Sequence, residues 1–168
     1  MGVVFWFTGL PCSGKTTLAK KLEKYFKDKR MPVKVLDGDT LRKSSSQDLG
    51  FSKKDRDENI RRATHLAKDL SRKGTNIIAS FVSPYNEMRL YARENCQNFV
   101  EIYVKCSIEK CIERDVKGLY KKALRGEIKD FTGIQDPYEE PLNPELTLET
   151  DKHPSEFLIK KIINFIEK

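Results

Sequence analysis

Histidine is scarce in this chain, with only His65 and His153 among 168 residues, and no two of its four cysteines stand at CxxC spacing. A Cys/His zinc cluster is therefore excluded, as is the disulfide framework that staples small secreted domains. Cys12, Cys96, Cys106 and Cys111 are expected as reduced thiols in a cytoplasmic protein. No apolar run approaches the roughly 20 residues of a membrane span. The opening run Val3–Phe7 is also too short for a signal-peptide core, and no basic segment precedes it. Trp6 stands where a myristoylation signal needs Ser or Thr, so the initial Met-Gly is not a lipid anchor. These absences leave no membrane partner and a cytoplasmic address. No internal repeat is present, and the only low-complexity stretch is Ser44-Ser45-Ser46, which reads as a flexible loop.

What remains is the composition of a folded protein. With 38% hydrophobic and 34% charged residues and aromatics from Phe5 to Phe165, an extended disordered segment is not expected. A chain of 168 residues suits one domain, 1–168, that buries its own core. The net charge of +7 favours anionic partners but does not choose among nucleotides, nucleic acid and solvent.

Short β-rich runs at Val3–Thr8, Val33–Leu36, Asn76–Phe81, Phe99–Val104 and Leu146–Leu148 alternate with helix-length segments, which predicts an α/β fold. Because several runs are apolar without alternation, both faces should be covered, giving a parallel five-stranded sheet flanked by helices. Leu18, Leu22 and Phe26 mark the buried face of a first helix that Pro32 prevents from continuing. Ser52 is the expected N-cap of a second helix, which buries Ile60, Ala63, Ala67 and Leu70 and stops at Gly74. Ser83-Pro84 is expected to open a further helix as N-cap and first helical residue, and Ser107 to cap the next. Ile159, Ile162, Ile163 and Ile166 form a core stripe on the last helix. The glycine- and proline-containing stretch from Val116 to Pro144 is about twice an ordinary connection and reads as a lid.

Chemistry enters with Gly9-Leu10-Pro11-Cys12-Ser13-Gly14-Lys15-Thr16, a complete G-x-x-x-x-G-K-[ST] between an expected strand and an expected helix. Glycines let the backbone curl so that its N–H groups face phosphate oxygens, and the helix that follows adds partial positive charge. Lys15 would reach the β- and γ-phosphates, and the Thr16 hydroxyl would hold Mg²⁺. The fold is thus of the P-loop NTPase type, with ATP as co-substrate. Such a loop leaves the acceptor unnamed.

Asp37-Gly38-Asp39 ends the second strand, at the sheet edge where open α/β folds bind ligands. Asp39 is the candidate base, able to accept the proton of an acceptor hydroxyl or to hold Mg²⁺ through water, while Asp37 could serve as a cap. Arg56 and Asn59, three residues apart, share a helix face. A guanidinium fork there suits phosphate or sulfate oxygens; ordinary surface pairing with Asp55, Asp57 or Glu58 is the bland alternative.

Together the blocks GKTT, DGD, LGFS-x-x-DR-x-ENIRR, SPY-x-x-x-R, ERDVKGLYKKA and FTGI-x-DPYE-x-PLNPEL make the chain resemble adenylyl-sulfate kinase from Thr8 to about Thr150. The resemblance implies an ATP-dependent kinase acting on the ribose 3′-hydroxyl of a nucleotide 5′-derivative, adenylyl sulfate first, in sulfate assimilation. It implies that Gly9 to Thr16, Thr17 and Arg114 bind ATP. Phe51 and Phe131 would sandwich the acceptor's base, Arg56 and Asn59 would hold its phosphosulfate, and Lys117 would close from the lid. Asp37, Asp39, Arg42, Val82 and Ser83 would complete the acceptor pocket, with Ser83 lining it and not acting as nucleophile. Homodimers are common in such kinases, though no interface is legible here.

The chain departs from the family's usual pattern at Pro11-Cys12-Ser13, at Thr40 in place of Asn, at Ser44 to Asp48, and at Asp130 in place of Gly. The changes at Thr40 and Asp130 fall beside the acceptor pocket and alter its hydrogen bonding and charge. Without the amino-terminal extension and fused sulfurylase of many relatives, the chain reads as a stand-alone form. Cytidine diphosphoramidate, with the same 3′-hydroxyl chemistry, is the alternative acceptor. A nucleotide- or RNA-binding regulator is the reading from another class, and the lack of an aromatic-rich RNP strand argues against nucleic acid.

Overall fold

The computed structural model describes residues 1–168. The chain order is β1 (Val4–Thr8), α1 (Lys15–Asp28), β2 (Val33–Asp37), α2 (Gly38–Lys43), α3 (Lys53–Arg72) and β3 (Asn76–Ser80). There follow α4 (Asn86–Asn95), β4 (Phe99–Lys105), α5 (Ile108–Arg114), α6 (Leu119–Leu124), β5 (Leu146–Glu149) and α7 (Ser155–Ile166). Five parallel strands form one sheet in the order β2-β3-β1-β4-β5. All five expected strands appear within one or two residues of their predicted bounds.

Parallel strands need crossovers, and here helices cover both faces, which is why β1 and β3 are buried at every position. Trp6, Leu36, Ile77, Ala79, Phe81 and Met88 pack one face against Ile60, Ala63 and Ala67 of α3. On the other face, Phe5, Phe7, Ile78, Ile102, Val104 and Leu148 meet Leu18, Leu22 and Phe26 of α1 and Leu158 and Ile162 of α7. Leu22 is fully buried, and removing such a side chain from water contributes roughly 1.5–3 kcal/mol. The expected α7 stripe is narrower than its sequence suggests: Ile162 is buried, whereas Ile159, Ile163 and Ile166 are half-buried at the rim.

Helix ends follow local chemistry. Ser52 Oγ accepts from the Asp55 amide, and Ser107 Oγ accepts from the Lys110 amide, as expected of N-caps. Gly74, at φ 91°, ends α3 in the left-handed conformation, with the Thr75 amide returning to the Leu70 carbonyl. Ser83-Pro84 is the exception. It does not start a helix; α4 begins at Asn86, after Tyr85. Ser83 has φ 39°, outside the extended conformation an N-cap needs, and its hydroxyl accepts from Trp6 Nε1 at 3.1 Å and donates to the Phe81 carbonyl at 3.3 Å. Burial of the Trp6 indole requires a partner for its N–H, and that requirement prevails over local capping.

The lid region is also more ordered than a long connection. It contains α6, and Gln135 Nε2 donates to the carbonyls of Ala123 and Ile128, folding Phe131 and Thr132 back toward the sheet.

Candidate active site

Because all five strands run in parallel, the segments after β1, β2 and β3 and the lid meet along their carboxyl ends. Between them lies a cavity of about 1180 Å³. Pro11, Cys12, Gly14, Lys15, Thr16 and Thr17 wall one side of it.

The loop from Gly9 to Thr16 curls with Cys12 at φ 63° and Gly14 at φ 105°. A Cβ on Gly9 would stand 2.4 Å from the Val104 carbonyl oxygen, so no larger residue fits there. Gly14 precedes α1 and no side chain caps it, which leaves the first amides of a 14-residue helix to whatever anion sits before them. Gly9, Leu10 and Ser13 do not wall the cavity; the Leu10 side chain packs with Cys106, Cys111 and Tyr120 beneath the loop. Lys15 Nζ donates to the carbonyls of Gly9 at 2.9 Å and Leu10 at 2.8 Å. Burial lowers its pKa from 10.5 to about 8, since desolvation disfavours the ammonium form.

Arg114 braces this loop from behind. Its Nη1 donates to the Cys12 and Ser13 carbonyls at 3.2 and 3.3 Å, and its Nη2 donates to the Thr150 carbonyl at 2.9 Å. The expected ATP-side arginine is thus on the cavity wall but already holds the phosphate-binding loop to the segment after β5. Thr150, which itself donates to the Ser13 carbonyl, carried no signal in the sequence.

Asp37 is the N-cap of α2, accepting from the Thr40 amide and hydroxyl, both at 2.8 Å. The departure at Thr40 therefore closes back on Asp37. Asp39, in the first turn of α2, extends into the cavity and pairs with Lys117 of the lid. That hydrogen bond to Asp39 raises the Lys117 pKa. Both side chains are more than 60% exposed (67% and 62%), so the contact is screened and easily exchanged for another anion.

Phe51, Arg42, Arg56, Asn59, Val82, Ser83 and Phe131 wall the remainder of the same cavity. Arg42 lies over the Phe51 ring, 4.3 Å from its centroid, and donates to the Gly50 carbonyl; burial lowers the Arg42 pKa. Phe51 is 67% exposed, an unusual position for a large aromatic side chain. Phe131 meets Tyr120 edge to face at 5.0 Å. Arg56 donates from Nη1 to Thr132 Oγ1 at 2.9 Å, 76 residues on, and pairs through Nη2 with Asp136, 80 residues on. The alternative of surface pairing with Asp55, Asp57 or Glu58 is not realised; Asp57 and Glu58 instead pair with Arg61 and Arg62. Arg56 Nε and Asn59 Oδ1 are buried without a hydrogen-bond partner, an arrangement that costs free energy unless a ligand supplies one. Asp136 and Thr132 lie inside the FTGI-x-DPYE block, but residue type alone gave no reason to pair them with Arg56.

The donor set also fits a hard cation. Thr16 is exposed within the cavity, Asp39 faces it with a carboxylate, and no group of three or more His, Cys, Asp or Glu side chains forms a cage. One hydroxyl and one carboxylate, completed by phosphate oxygens and water, is how Mg²⁺ is usually bound.

Comparison with known proteins agrees with this geometry. The adenylylsulphate kinase family model matches residues 1–149. An adenylyl-sulfate kinase of Halothermothrix orenii is 50% identical over 167 residues, spanning 99% of this chain and 90% of that protein. A probable adenylyl-sulfate kinase of Pseudomonas aeruginosa is 50% identical over 162 residues, spanning 96% of this chain and 76% of that protein. Among solved structures, the Mycobacterium tuberculosis APS kinase CysC in complex with AMPPNP and APS superposes with a TM-score of 0.95 at 40% identity, covering 99% of this chain and 98% of that one. The chain therefore belongs to the adenylylsulphate kinase family of P-loop kinases.

Proposed function

We propose that the chain transfers the γ-phosphoryl group of ATP to the ribose 3′-hydroxyl of adenylyl sulfate. The observation that carries this reading is the joining of two half-sites in one cavity. A phosphate-binding loop forms one wall, and Phe51, Arg56, Asn59 and Phe131 form the other. A volume of about 1180 Å³ exceeds the usual single-ligand range of roughly 300–1,000 Å³ and leaves room for two nucleotides.

The residues divide the work. Loop amides and Lys15 hold the donor's polyphosphate. Thr16 and Asp39 would hold Mg²⁺, which when bound would supply neutralisation of the phosphate charge. Phe51 and Phe131 offer aromatic faces to a flat base, while Arg56 and Asn59 receive its anionic substituent. Asp39 orients the 3′-hydroxyl and takes its proton as the oxygen attacks phosphorus in line. On reaching Asp39, the acceptor frees Lys117 to follow the substrate's charge. Ser83 Oγ is occupied by Trp6 and the Phe81 carbonyl, which supports direct transfer without a phosphoserine.

Identity of about half to several adenylyl-sulfate kinases favours adenylyl sulfate over cytidine diphosphoramidate. The test supplies ATP with each acceptor separately and compares kcat/KM for ADP release. Adenylyl sulfate is expected to win, and a strong preference for the cytidine compound would overturn the assignment. ADP from neither, with tight RNA binding, would return the regulator reading.

A further inference from the structure

Arg89 is 2% exposed and stands behind the wall of the nucleotide cavity, not on it. A buried guanidinium persists only where its donors are taken up, so its partners reveal what it organises. Nη1 donates to the Ser83 carbonyl, and Nη2 donates to Asn86 Oδ1 and to the Glu139 carbonyl. Nε lies 3.1 Å from Glu101 Oε1 on β4, an ion pair without hydrogen-bond alignment. The guanidinium also sits over the Tyr138 ring, 5.5 Å from its centroid.

Those contacts join two segments far apart in sequence, the stretch from Val82 to Asn86 at the start of α4 and the carboxyl end of the lid. Further bonds run between the same two. Glu139 N donates to the Pro84 carbonyl at 2.8 Å, and Asn86 N donates to Glu139 Oε1 at 2.8 Å. Thr8 Oγ1 lies 2.7 Å from the Val82 carbonyl and 2.8 Å from Tyr138 Oη. Ser83 is held at φ 39°, a conformation that non-glycine residues adopt only where their surroundings dictate it. The Arg89 contact to its carbonyl shares in that constraint with the Trp6 indole on its hydroxyl. None of the direct partners belongs to the phosphate-binding loop.

We propose that Arg89 is a positioning residue for the acceptor half of the site, fixing the Val82–Ser83 wall to the root of the lid at Tyr138–Glu139. The lid then swings from a base already in register with the wall it must close against. The inference rests on the reading of Val82, Ser83 and Phe131 as acceptor-side residues.

Arg89→Lys keeps the charge but replaces a planar fork with a single ammonium that cannot span both carbonyls and Asn86. In the full chain, that variant is expected to raise KM for adenylyl sulfate about tenfold while KM for Mg-ATP stays within about twofold. Asn86→Ala removes one partner at the start of α4 and is expected to raise acceptor KM by roughly threefold; it carries the test if Arg89→Lys does not fold. Hydrogen exchange gives a readout independent of turnover. Amides of residues 82–86 and 138–140 should exchange faster together in either variant, with residues 9–16 unchanged. A parallel rise in both KM values, an unchanged acceptor KM in a folded variant, or unchanged exchange in these segments would overturn the proposal. Wild-type protein that turns over no adenylyl sulfate would count against the proposed function instead, and the exchange experiment would still decide the role of Arg89.

Discussion

The depressed pKa of Lys15 makes ATP binding a proton-linked event. Desolvation on burial lowers the ammonium from 10.5 to about 8. Polyphosphate placed beside it favours the charged form and restores a high value. Between pH 8 and 10.5 the free protein therefore holds fewer protons at this site than the complex does. At pH 9, a group of pKa about 8 is about nine-tenths deprotonated, so binding should take up close to ~0.9 proton. Affinity for Mg-ATP should be flat below pH 8 and should then fall toward roughly tenfold per pH unit up to about pH 10. The same shift governs stability with the opposite sense. The unfolded chain binds the extra proton, so the folded state gains stability as pH rises through 8, reaching about 3 kcal/mol once the unfolded lysine has also titrated. Calorimetric titration with Mg-ATP at pH 9 in two buffers of different ionisation enthalpy measures the uptake directly. Lys15→Met supplies the control, because it should bind weakly and take up little. Absence of proton uptake in the wild type, or affinity that stays level to pH 10, would refute the reasoning.

Three further outcomes follow from the geometry. Asp39→Asn should lower turnover by about 10²–10⁴-fold while leaving the Mg-ATP dissociation constant within a few-fold, as expected for loss of a proton acceptor; normal turnover would remove Asp39 from the chemistry. Phe51→Ala should raise KM for adenylyl sulfate roughly 5- to 150-fold, the equivalent of about 1–3 kcal/mol of lost stacking, with little change in melting temperature because the ring is largely exposed; an unchanged KM would mean that the base does not stack there. Gly9→Ala should destabilise the fold by roughly 1–3 kcal/mol, because the new Cβ meets the Val104 carbonyl oxygen at 2.4 Å and backbone must move; thermal unfolding reads this as a drop of several degrees, and an unshifted transition would refute it.

Where local patterning and tertiary demand agree, the sequence was sufficient. The strand from Val4 to Thr8 is apolar at nearly every position because both faces of a central parallel strand are covered, and Gly9 and Gly14 in the loop after it stand where close approach and positive φ call for glycine. Ser52, Ser107 and Gly74 end their helices by contacts within a few residues, which a linear reading captures. Most of the side chains that the separate motif blocks named line one cavity, while Gly9, Leu10 and Ser13 do not.

The remainder was decided by groups distant in sequence. Ser83 has the local chemistry of a helix cap, but the buried indole of Trp6, 77 residues away, claims its hydroxyl. Arg56 stands among carboxylates on its own helix and pairs with Asp136, 80 residues on. Arg114, which the resemblance assigns to the ATP side, also braces the phosphate-binding loop through carbonyls about 100 residues away in sequence. Arg89 gives no linear sign of joining Ser83 to Glu139. Periodicity and capping report interactions a few residues long, and so they fixed the elements and the phosphate-binding loop. A buried donor takes whichever acceptor the packed chain sets within 3 Å, and that pairing exists only after the sheet and lid have assembled.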